Sequence, residues 1–171
     1  RFMQSCLLYL GKAVLAEGRR GEALEVLEEA MAISRETGLG FHGPNILGAL
    51  AEATQDPQQR RRALAEGEAI IREGAVGHNH LRFYPDAITT ALDLGEWDEA
   101  ERYANALENY TRPEPLPWSD FFICRGRALA ALRRGQRDES TKSELERLQA
   151  KARRLGYHIA LPAIEQALAG F

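Results

Sequence analysis

The feature that most constrains this chain is a pattern used twice: glycine, three residues, then Glu-Ala, at Gly18–Ala23 and again at Gly95–Ala100. At each copy one short apolar-periodic stretch ends and a second begins at once, which predicts helices joined by tight turns. Around the first copy the apolar and small residues fall at Leu7, Leu10, Gly11, Val14, Ala23, Leu27 and Ala30. Small residues suit close helix crossings, and large ones fill the groove between two helices.

This is the spacing of a tetratricopeptide (TPR) helix pair. The expected fold is all-α, a right-handed superhelix of about four antiparallel helix pairs plus a terminal helix, in a single repeat domain over 1–171. A first helix over 2–17 turns Leu7, Leu10 and Val14 inward, and its partner runs from Gly21 to about Glu36. Pro44 is expected to open a third helix with Ile46, Leu47 and Leu50 inside. Asp56-Pro57 signals the fourth, an acidic N-cap followed by proline at the first helical position; it buries Leu64, Ile70 and Ile71, with Gly67 at a close crossing. After a loop at 74–80 comes a helix with Tyr84, Ile88 and Ala91, then one capped by Asp98 with Ala100, Tyr103, Ala104 and Leu107. Three prolines within 113–117 demand an extended connector. Beyond it Trp118, Phe122, Ala128, Leu129 and Leu132 line one helix, Leu145, Leu148, Ala152 and Leu155 the next, and Ile164, Ala167 and Leu168 a short last one after Pro162.

No apolar run approaches the ~18 residues of a membrane span. Cys6 and Cys124 lie in apolar stripes and read as core thiols, which fits a reducing, cytoplasmic setting. The opening Arg1-Phe2-Met3-Gln4 reads as the inside of a helix, so a piece of a longer protein is expected. The net charge of −3 hides a local surplus of +6 over residues 125–154. That surplus suits a solvated face or an acidic neighbour; nucleic acid is disfavoured because aromatic residues do not interleave with the arginines.

Catalytic signatures are missing from the sequence. Gly11-Lys12 lacks the glycine and the Ser or Thr that a phosphate loop needs, and neither a Gly-x-Ser-x-Gly nor a His-Glu-x-x-His motif occurs. His78 and His80 have no third ligand nearby in sequence, so Asn79 or His80 is expected to cap the following helix rather than bind metal. No cofactor is expected. The candidate binding residues are Tyr84, Asp86, Phe121 and Arg125, which fall on or before first helices of pairs and combine aromatic area with charge. The competing reading places these side chains in the core between repeats, the commoner use of large aromatics.

Val76-Gly-His-Asn-His-Leu-Arg-Phe-Tyr84, Gly95-Glu-Trp-Asp-Glu-Ala-Glu-Arg-Tyr103 and Tyr110-Thr-Arg-Pro-Glu-Pro-Leu-Pro-Trp-Ser-Asp-Phe-Phe122 together resemble the C-terminal repeat region of bacterial multidomain adenylate/guanylate cyclase-like proteins. The resemblance is strongest over about 74–135. It implies a non-catalytic regulatory module of a signalling ATPase of the AAA/STAND kind, cytoplasmic, binding a protein or peptide that could be another domain of the same polypeptide. The family's catalytic aspartates and nucleotide loop have no counterpart here. A second expectation is the sensor tail of a related transcriptional activator, binding a small inducer.

Overall fold

The computed structural model describes residues 2–171. Among these residues the chain is all-helical, with no β-strand and with helices packed in adjacent pairs. It divides into two compact units, Arg1–Thr90 and Ala91–Phe171.

The first unit contains α1 (Phe2–Ala16), α2 (Arg20–Thr37), α3 (Leu39–Ala53), α4 (Pro57–Gly74) and most of α5 (His78–Asp93). The α1, α2 and α3 helices each pack on the next in sequence, and Gly67 of α4 lies against Phe83 of α5. Leu8, Leu27, Ala30, Met31, Ile46, Leu47 and Ile70 form the core. The predicted crossing of the first pair is present: a Cβ on Gly11 would fall 2.6 Å from Leu27 Cγ. The predicted inward face of α1 holds at Gly11 and Val14, which are buried, but not at Leu10. Leu8 is the buried leucine, Leu7 is half-buried, and Leu10 is exposed. Cys6 is exposed as well, not a core thiol. Residues 2–16 carry one charge and apolar side chains on every face, so periodicity alone could not set the phase of this helix.

Two further starts differ from expectation. The α3 helix begins at Leu39, directly after Gly38 with φ 114°, and Pro44 lies inside it. A proline N supplies no hydrogen bond to the carbonyl four residues back. That carbonyl, Gly40 O, accepts instead from Val76 N (2.9 Å) and Asn79 Nδ2 (3.2 Å). The loop before α5 is correspondingly short, residues 75–77. Asp56 caps α4 as predicted, accepting from Gln58 N at 2.8 Å, and Leu64, Ile70 and Ile71 are buried.

The second unit contains the end of α5, then α6 (Trp97–Thr111), α7 (Pro117–Arg133), α8 (Glu139–Leu155), a single 3-10 turn (His158–Ala160) and α9 (Leu161–Leu168). Its core is Phe121, Ala128, Leu129, Leu132, Leu145, Leu148, Ala152 and Ile164. The proline-rich connector is confined to 112–116, and Leu116 is extended. Asp98 does not cap α6; the cap position is Glu96, without a side-chain bond. Asp98 points outward and receives Arg134 Nη2 at 2.6 Å. Leu155 is exposed rather than inward.

Both copies of the repeated pattern end their first helix alike. Gly18 and Gly95 have φ of 82° and 73°. In each, the next residue donates back to a carbonyl five positions earlier, Arg19 N to Val14 O and Glu96 N to Ala91 O. This is a Schellman close, which only glycine enters without a Cβ penalty. Gly135 repeats it.

Candidate functional site

The sequence candidates are buried. Tyr84 is 6% exposed, Phe121 0% and Arg125 4%. Tyr84 packs edge-on against Phe83, ring centroids 5.4 Å apart, and Phe121 packs against Phe122 and Tyr157. All three side chains are thus buried among neighbouring residues.

Asp86 has a different role. Its carboxylate receives Lys12 Nζ at 2.6 Å, joining α5 to α1. The space for it comes from α3: a Cβ on Gly48 would lie 3.1 Å from Asp86 Oδ2. Burial pushes the Asp86 carboxyl up from its ordinary range, against the opposing pull of Lys12 and then Arg82. One turn before Gly48, Asn45 is 1% exposed, and neither polar atom of its carboxamide has a protein partner. A seam of polar groups therefore runs through α1, α3 and α5.

Asn79 is the hub of this seam. Fully buried in the first turn of α5, it caps nothing in its own helix. Its Nδ2 donates to Phe41 O and Val76 O, both at 3.0 Å, besides Gly40 O, and its Oδ1 accepts from Asn45 N at 3.4 Å. Beside it, His78 Nε2 and His42 Nδ1 are 3.1 Å apart in a hydrogen bond. Phe41 meets both rings edge-on, at centroid distances of 5.4 and 4.6 Å. His78 thus pairs with His42 rather than with His80, whose ring lies by Tyr84. Sequence reasoning missed Lys12 and His42, since nothing local marks a partner 74 or 36 residues away; the only signal was an asparagine between two histidines at a helix start.

In the second unit a hollow of about 390 Å³ is lined by Leu132, Arg133, Gly135, Arg137, Gln166 and Ala167. Arg137 donates to Gly170 O. Among the described residues no group of three or more His, Cys, Asp or Glu is placed to hold a metal ion, and no helix is long and apolar enough to cross a membrane.

Fold and site together define an all-helical protein of paired helices with a buried polar seam and a basic hollow. Comparison with protein-family models, with characterised proteins and with solved structures finds no match to the chain.

Proposed function

We propose that the chain is a non-catalytic binding module of the TPR type, a right-handed superhelix serving as the regulatory region of a cytoplasmic, cyclase-like signalling ATPase. The observation that carries this reading is the shared geometry of the two Gly-x-x-x-Glu-Ala copies, each a Schellman close followed directly by the next helix. Modules of stacked helix pairs serve binding rather than chemistry. The partner is a protein or peptide, in the first instance another domain of the same polypeptide. Tyr84 and Asp86 support a binding face of the first unit by fixing the packing of α5, and Phe121 and Arg125 support one of the second by fixing that of α7. Titration calorimetry of the purified chain against the cyclase-like and ATPase domains of its parent protein tests this. Binding that survives Tyr84→Ala with Arg125→Ala in a folded variant counts against binding faces supported by those residues, and no binding to either domain counts against the reading itself. The chain alone is expected to turn over neither ATP nor GTP. Cyclic-nucleotide production that stays with the chain through successive purification steps overturns that expectation.

The hollow beside Arg133 and Arg137 favours a second reading, the inducer-sensing tail of a transcriptional activator, because about 390 Å³ lies within the range of small-ligand sites. The parent reading frame separates the two. A cyclase domain upstream supports the first, and a helix-turn-helix supports the second.

A further inference from the structure

Besides the Lys12–Asp86 ion pair, the buried polar seam contains a contact between two imidazoles that a change of protonation can break. His42 is 7% exposed, and its Nδ1 faces His78 Nε2 at 3.1 Å. In such a pair one ring donates and the other accepts, so at least one imidazole must be neutral. With both rings protonated the bond has no acceptor, and two like charges face each other at contact distance. We propose that His42 and His78 form a proton-sensitive latch that ties the first turn of α5 to the start of α3 and releases it in acid.

Three observations make this junction the place where such a release would act. The start of α3 is already interrupted at Pro44, so it depends on groups from outside the helix. Those groups, Val76 N and the Asn79 carboxamide, lie immediately around His78 in sequence. Among the described residues no carboxylate acts on His42 to hold a second proton. Of the charged groups on the packed elements, Lys12 of α1 pairs with Asp86 of α5, and Arg35 of α2 pairs with Glu66 of α4. Arg72 of α4 turns its Nε toward Glu68 O, Glu73 beside it is exposed, and Arg82 acts on Asp86. His42 itself is lowered by burial and then by His78. His80, two residues on, is lowered by burial alone and lies outside the pair.

Amide hydrogen exchange on the intact chain reads the latch directly, through the Val76 and Asn45 amides that the junction protects. Corrected for intrinsic rates, their protection relative to α2 should fall about tenfold or more between pH 7.5 and 5. His78→Gln supplies an amide that can donate to His42 Nδ1 or, turned over, accept from it, so the contact survives protonation. In that variant the change should be clearly smaller than in the parent, under about twofold, the remaining pH dependence coming from the burial of His42, His80 and Asp86. Equal pH dependence in both proteins, or none in the parent, overturns the proposal. A second measurement needs no variant: ring-nitrogen NMR should show a coupling across the N–H···N bond at pH 7.5 that is gone at pH 5. Two rings titrating independently, with no such coupling at pH 7.5, overturn the proposal equally.

Discussion

Lys12 and Asp86 show what a single side chain can be asked to do here. Their side chains are 26% and 12% exposed, so the charges are largely withdrawn from water and each depends on the other. Removing one partner of such a pair is costly because the survivor keeps its charge without compensation. Lys12→Met is therefore expected to destabilise the chain by about 3 kcal/mol, the low end for a buried pair. Adding Asp86→Asn should recover part of that loss by removing the stranded charge. Urea titrations of the two variants check the order, and a double variant weaker than the single one contradicts it. Residue-scale roles of this kind were the least legible in sequence. The position of Asp86 on a first helix could be read, but its partner 74 positions earlier could not. Tyr84 and Phe121 could be placed on helices, yet whether an aromatic faces a groove or a core depends on neighbours that periodicity does not name.

Among the helices, glycine gives two opposite forecasts for one substitution. At Gly67 an added Cβ would lie 2.5 Å from Phe83 Cε2, and Phe83 is wholly buried. Gly67→Ala should overpack the α4–α5 crossing and cost about 1–3 kcal/mol. At Gly21, in the first turn of α2, nothing lies within 4 Å, so Gly21→Ala should stabilise by about 0.5 kcal/mol through helix propensity. Thermal melts of the pair decide it, and a shared sign would refute the crossing. The α3 interruption yields a third test. Asn79→Ala strips donors and an acceptor from buried backbone groups and should cost about 1–3 kcal/mol. Pro44→Ala in that background restores an N–H for Gly40 O and should return part of it, visible as coupling in a double-mutant cycle. Helix boundaries were mostly readable because Gly18, Gly38, Gly74, Gly95 and Gly135 have positive φ and Asp56 and Asp138 supply caps. The exceptions were the start of α5, the cap of α6 and, above all, Pro44. Proline ordinarily marks a start, and here a start five residues earlier is supported by a carboxamide from another helix.

For the molecule as a whole, the buried histidines make acid destabilising, while the raised Asp86 carboxyl works in the opposite direction. His42 and His80 are both lowered from 6.5 in the folded chain by burial, so the unfolded chain binds more protons between the unfolded and folded values. Their contribution is fully present above about 6.5 and is lost as pH falls through the lowered folded values. The melting temperature should drop from pH 7.5 to 5, and His42→Gln with His80→Gln should flatten that drop; an unchanged slope would contradict it. A protein with no strand among its described residues also has no ladder to hold its elements in step, and lengthwise slippage of one cylinder past another is resisted by side chains alone. Arg127 of α7 meets Glu101, Asn105 and Glu108 of α6, positions spread over two turns of that helix. A single guanidinium gripping two turns works as a key in a slot. A ratchet of one turn between these two helices would have to release every tooth at once, and the Arg134–Asp98 bridge with them.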